Sequence, residues 1–181
     1  VRHAAPAADD RFSDRPLDLL FVGAPTERRR RFFAQSGLVL SRFTCCLHLP
    51  EGGLQRAGVP TALNPAAAIG LAQRSKILLH VHESDVPTFP WQHIVHLGIW
   101  QRALVVTEPC APVPGLRAGE HYLACRLSEL PDLLTWLLST GPGAAQAEAI
   151  RRRAFAALVR EYDLTAWLRS LLPAVLNAVA P

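Results

Sequence analysis

The sequence contains no methionine, and Lys76 is its only lysine, so its basic charge is almost entirely arginine. With Val1 as first residue, that fits either a processed N-terminus or a piece of a longer chain. No apolar run reaches the roughly 18 to 20 residues of a membrane span. The opening "VRHAAPAADDRFSDRP" lacks the charged and apolar regions of a signal peptide, so the expectation is a soluble, cytoplasmic protein without a membrane span. Cysteine is scarce: Cys45, Cys46, Cys110 and Cys125 form no CxxC unit, which points to buried free thiols rather than disulfides or a zinc knuckle. The net charge of +4 has only two dense basic clusters, "ERRRR" (27–31) and "RRR" (151–153). Without a wide basic face interleaved with aromatics, no nucleic-acid partner is expected. There is neither a GxGxxG nor a P-loop, which disfavours the ordinary dinucleotide and ATP cradles.

What is present is a chain of 181 residues, 50% hydrophobic and 19% charged, enough for one sizeable core. Residues 1–15 show no periodicity and read as a linker or disordered arm, with a single domain over 16–181. "LDLLFVGA" (17–24) is a continuous apolar run ending at a glycine, as in a strand covered on both faces. A helix is predicted from Pro25 and Thr26 to a stop at Gly37, then a second strand over Leu38–Leu49. Gly52, Gly53, Gly58 and Pro60 mark a loop, and Asn64 with Pro65 starts a short helix that feeds the strand "KILLHVH". Residues 90–101 read as a helix, 102–109 as a strand, and "HYLACRL" from His121 as a further short strand. Ser128 is placed as the cap of a leucine-striped helix, and 144–162 and 163–178 as two closing helices, with the Trp136 and Trp167 stripes as packing faces. Apolar strands alternating with helices predict an α/β, Rossmann-like doubly wound parallel sheet with C-terminal helices. In such sheets ligands bind beyond the carboxyl ends of the strands, here Gly23 and Ala24, His82 and Glu83, and Thr107 and Glu108.

Gly23 followed by an arginine run on an opening helix has the makings of an anion site, with backbone N–H groups and Arg28 or Arg29 facing a phosphate. Against it stands plain surface charge, since four arginines in little more than one turn point several ways. His80 and His82 lie two apart on a strand, and His93 and His96 three apart on a helix, so each pair is expected to share a face. Four imidazoles on meeting faces would suit zinc, but neither spacing matches a strong zinc signature, and no metal is expected. His80 reads as a core histidine with a hydrogen bond. His82 and Glu83, at a strand end, suit either an acid, base or sugar-hydroxyl contact, or a loop cap. Cys45 with nearby His48 lacks a third orienting residue, and reads as core rather than as a nucleophile.

The order of "LLFVGAPTERRRRFF", "LAQRSKILLHVHESD", "RALVVTEPCAPVPGLRAGEHYLACRLSELPDLLTWLL" and "RRRAFAALVREYDLTAWLRSLL" resembles the C-terminal, nucleotide-sugar-binding half of B-type (GT-B) glycosyltransferases, especially the group related to the spore-maturation protein CgeB. The resemblance spans about residues 17–175. It implies a donor site for a nucleoside-diphosphate sugar, without a further cofactor, built from the loop after Gly23, Arg28 or Arg29, the strand end at His82 and Glu83, and the helix near Trp91. Relatives carry a ribose-gripping Glu on that helix, where this chain reads "HIVHLGIWQR" and offers His93 and His96 instead. It implies, too, an N-terminal acceptor-binding domain outside these 181 residues, without which no turnover is expected. The competing reading is a non-catalytic binding or scaffold domain that has lost the donor site.

Overall fold

A computed structural model describes residues 7–50 and 63–161. The predicted loop breakers Gly52, Gly53, Gly58 and Pro60 and the predicted last helix over 163–178, with its Trp167 stripe, lie outside the described residues. Five strands, β1 (Leu17–Val22), β2 (Cys45–His48), β3 (Ser75–His80), β4 (Leu104–Thr107) and β5 (Leu123–Ala124), form one sheet in the order β2-β1-β3-β4-β5. Every pairing is parallel. The doubly wound Rossmann-like α/β fold expected from the sequence is therefore what forms, and β1, β3 and β4 are buried on both faces as their unbroken apolar runs require.

One apolar layer joins Leu19, Phe21, Ile77 and Leu79 to Phe32 and Leu40 of α1 (Glu27–Leu40) and to Leu130, Leu134 and Leu137 of α3 (Leu130–Leu138). The opposite layer joins Leu20, Leu78 and Val105 to Ala68 and Ala72 of α2 (Pro65–Gln73) and to Ile94 and Leu97. α4 (Pro142–Glu161) contributes to both, through Ala147 and Ile150 on one side and Ala154 and Leu158 on the other. The alternation of strand residues between layers follows from the two-residue repeat of β structure.

α2 starts where Asn64 and Pro65 predict, the Asn64 carboxamide oxygen accepting from Ala67 N at 2.8 Å. α1 does not stop at Gly37 but runs one turn further, because Gly37 lies in open space and Leu40 gains a buried position by staying helical. The second strand is correspondingly confined to Cys45–His48. Ser128 does not cap α3; Glu129 precedes it and its carboxylate accepts from Arg126 N.

Part of the segment read as a loose arm is packed. Phe12 is buried, and Arg15 donates to the carbonyls of Ser75 at 2.8 Å and Gln101 at 3.0 Å while pairing with Asp10. Arg151 of α4 donates to Arg102 O and to Asp10 O. These two guanidinium groups seal the amino end of the sheet.

The segment over 90–101 is helical, as expected, but of a different kind: Gln92–Gly98 form a π-helix and Ile99–Gln101 a 3₁₀ turn. Gly98 lies against the sheet, where a Cβ would run into Val105 Cγ2 and come within 3.2 Å of Leu78 Cδ2. The requirement for glycine here is steric. Gly98→Ala is expected to destabilise the fold by about 2 kcal/mol through overpacking, read as a lower urea midpoint at unchanged slope; an unchanged midpoint would disprove the close approach.

Candidate functional site

In the order β2-β1-β3-β4-β5 the connections after β1 and β3 leave on opposite faces, which opens a crevice between their carboxyl ends. Thr26 caps α1 at the crevice edge, its hydroxyl accepting from Arg29 N. The cap turns the first helical side chains back over the strand ends.

Arg29 is only 1% exposed. Its Nε donates to Val81 O at 2.9 Å, and its Nη1 donates to Ala24 O and to the Glu83 carboxylate, both at 3.0 Å. Burial lowers its pKa, and the Glu83 carboxylate opposes that. Gly23 fits beneath: a Cβ there would stand 2.9 Å from Arg29 Nη1 and 3.0 Å from the Phe21 ring. His93 enters from the π-helix, its Nε2 3.0 Å from Val22 O at the end of β1. A carbonyl only accepts, so the proton sits on Nε2 and Nδ1 keeps a lone pair. Gly23, Arg29, Glu83 and His93 thus converge on the two sides of one crevice.

Arg28 lies one residue further round the helix and meets a different acid. Its Nη1 and Nη2 grip Glu108 at 2.6 and 2.5 Å, and its Nε reaches Asp85 at 2.9 Å. Hydrogen bonding to Glu108 is the main cause that raises the Arg28 pKa. The same Glu108 accepts from the backbone N–H of His82 at 2.8 Å. Glu108 was legible only as a strand-end residue at the close of β4. Its place beside β3, set by the pairing of His80 with Thr107, makes it the counter-charge of the site.

His82 and His96 do not stand where the sequence suggested. The His82 side chain is buried and turns to Pro109 O at 3.0 Å, so it is part of the wall rather than the rim. His96 is exposed and does not share a face with His93. The reason is the π-helix: bonding from Ile99 N back to Ile94 O turns each residue through a smaller angle, so three residues fall short of a full turn.

His80, His82 and His93 nonetheless form one imidazole cluster, His82 edge-on to His80 with centroids 5.1 Å apart and His93 tilted against it at 5.2 Å. His80 is the expected core histidine, buried with Nδ1 3.2 Å from Thr107 Oγ1. Among the described residues no three His, Cys, Asp or Glu side chains are arranged to hold a metal ion. Cys45 is a free thiol whose pKa burial pushes up to about 11, which suits core and not a nucleophile.

No protein-family model matches the sequence, and no curated protein matches it either. Solved structures do match the fold. An α1,3-fucosyltransferase superposes with a TM-score of 0.53 at 9% identity, over 76% of this chain and 37% of that one. The C-terminal domain of a glycosyl transferase group 1 family protein (LpcC) from Francisella tularensis superposes with a TM-score of 0.55 at 8% identity, over 87% of this chain and 95% of that domain. The α/β Rossmann-like fold of this chain is thus one that these two glycosyltransferase structures share. This chain spans little more than a third of the fucosyltransferase but nearly all of the isolated domain. No helix among the described residues is long and apolar enough to cross a membrane.

Burial pushes the His80 pKa down to about 3, helped by the charges of His93, His82 and Arg29, and burial lowers that of His93 as well. The unfolded chain takes up these protons near its ordinary value of 6.5 while the folded chain refuses them. Their stabilising effect is therefore complete above about pH 6.5 and is lost as pH falls towards 3. At pH 5 His80 alone costs about 2 kcal/mol. Urea denaturation at pH 7.5 and 5.0 should show that loss, and His80→Leu should flatten it; an equally steep slope in the variant would refute the assignment.

Proposed function

We propose that this chain is the donor-binding half of a glycosyltransferase, of the CgeB-like group by the order of its motifs. It takes a nucleoside-diphosphate sugar in the crevice between β1 and β3 and works with an N-terminal acceptor domain. The observation that carries the reading is the convergence of Gly23, Arg29, Glu83 and His93 at the switch point of a sheet shared with glycosyltransferase C-terminal domains. Glycine beside the helix start gives a diphosphate close access to backbone N–H groups. Arg29 and Arg28 supply positive potential where charge grows on the leaving diphosphate. His93, neutral and holding its proton towards Val22, presents Nδ1 as an acceptor for a ribose hydroxyl, in the place where relatives use a carboxylate. His96, exposed on the π-helix, would reach only a part of the ligand outside the crevice.

One observation favours a second reading. Both arginines already hold carboxylates, and Glu108 occupies the His82 N–H and both Arg28 Nη groups, as in a fold kept after its anion site was lost. Calorimetry separates the two. Titration with UDP-, GDP- and dTDP-sugars should give saturable binding to one of them. Gly23→Val, which forces the Arg29 guanidinium aside, should weaken it by about tenfold or more. Silence from all three sugars at millimolar concentration, in the chain and in any longer form bearing the acceptor domain, would leave the scaffold reading.

Glu108→Gln sharpens the comparison. Removing one partner of a largely buried pair should lower stability by about 2 kcal/mol, yet free Arg28 for an anion. Under the donor reading the variant binds the nucleotide sugar more tightly, and under the scaffold reading it binds none.

A further inference from the structure

We infer a second binding site, for a pyranose carrying a single anionic group, in the cavity of about 620 Å³ between α1 and the segment that enters α3. It goes beyond the donor reading and does not depend on it. Arg28 and Asp85, bonded to each other, line the cavity on the side of the crevice. Its volume lies in the range of small-molecule sites.

Three features fix the ligand's chemistry. The first is charge. The positive charge of Arg28 is spent on Glu108 and Asp85. Arg31 stands one turn along the same wall, and its ion pair is a 3.7 Å exposed contact with Glu27, which contributes little and yields readily. A guanidinium held only by that long surface contact can exchange Glu27 for one carboxylate or phosphate of a ligand.

The second feature is polar satisfaction. Ser36 is 4% exposed, and its hydroxyl makes no hydrogen bond with any described residue although it lines the cavity. That oxygen is not sealed off, since among the described residues Arg102 Nε alone is a buried side-chain polar atom without a partner; it faces the cavity, where a ligand hydroxyl can meet it. Ser128, which the sequence marks as a helix cap, does not cap α3 and instead lines the opposite wall, and Gln35 lies one residue from Ser36. A donor and acceptor on each wall suit a ligand with several hydroxyl groups.

The third feature is the apolar floor. Phe32, Leu127 and Pro131 complete the lining, an apolar surface on which the C–H face of a sugar ring can lie. Inorganic phosphate would leave that floor bare, and a neutral sugar would leave Arg31 unused.

The test is titration of the whole chain, followed by NMR or calorimetry, with glucuronate and glucose 6-phosphate against glucose and inorganic phosphate. One or both acidic sugars should bind saturably in the millimolar range, with glucose and phosphate at least about tenfold weaker. Arg31→Gln, at an exposed position, should cost the acidic sugar about tenfold. Ser36→Val should weaken it too, by filling the cavity and removing the hydroxyl, while Gly23→Val leaves it unchanged. The inference is overturned by equal binding of glucose, by phosphate binding as tightly as glucose 6-phosphate, by indifference to Arg31→Gln, or by no saturation at tens of millimolar. Loss of binding in Gly23→Val would move the acidic sugar into the crevice and overturn it as well. Because this readout uses no nucleotide, it stands or falls apart from the donor site.

Discussion

Much of the carboxyl end of this sheet follows from burying one guanidinium group. Arg29 is removed from water at the point where β1 and β3 end, so its N–H groups must be met from within the protein. Val81 O, Ala24 O and the Glu83 carboxylate meet them. That requirement ties the loop after β1 to the loop after β3, and it fixes the entry of α1, whose Thr26 cap bonds Arg29 N. It also dictates the residue below, because a side chain at position 23 would occupy the space of the guanidinium. A glycine, a helix cap and a carboxylate, far apart in function, are thus set by a single desolvated charge.

The opposite end of the sheet shows the same chemistry with a different consequence. Arg15 and Arg151 are as deeply buried as Arg29, but they donate to carbonyls that begin β3 and precede β4, and Asp10 and Glu148 neutralise them. At the carboxyl end Glu108 is buried, but the Glu83 side chain that holds Arg29 is 65% exposed, so that pair meets solvent. A sheet with one end sealed and the other hydrated has its ligand end chosen by where the counter-charges sit.

The parallel sheet was legible because its strands are apolar on both faces, a pattern that few other arrangements produce. Helix starts were legible where a side chain makes the cap, as at Asn64 and Thr26. Helix ends and caps that depend on tertiary burial were not: Gly37 signals a stop, but the buried position gained by Leu40 overrides it. Of the residues that the structure brings together, Gly23 and Glu83 were singled out by their place at strand ends, Arg29 by its place on the opening helix, and His93 by helical spacing and the family resemblance. Glu108 was underrated because its importance comes from register, which places the end of β4 beside the end of β3. His96 was misplaced because composition carries no mark of a π-helix, and the two histidines separate only when the helical period changes.

The arginine pairs also account for the neutral side chain that the π-helix brings to the crevice at His93. The crevice already holds more negative than positive charge, with Arg29 against Glu83 and Arg28 against both Glu108 and Asp85. A carboxylate at position 93 would be a further negative charge beside the Val22 carbonyl, in a buried place with no free cation to receive it. An imidazole satisfies that carbonyl with Nε2–H, and the lowered pKa that burial gives it keeps the other nitrogen an acceptor at neutral pH. The neighbouring His80, more strongly depressed, holds the same neutral form against the ring tilted beside it. A neutral side chain at position 93 is therefore a consequence of the two arginine pairs: once both cations are matched, a neutral acceptor is what fits between them.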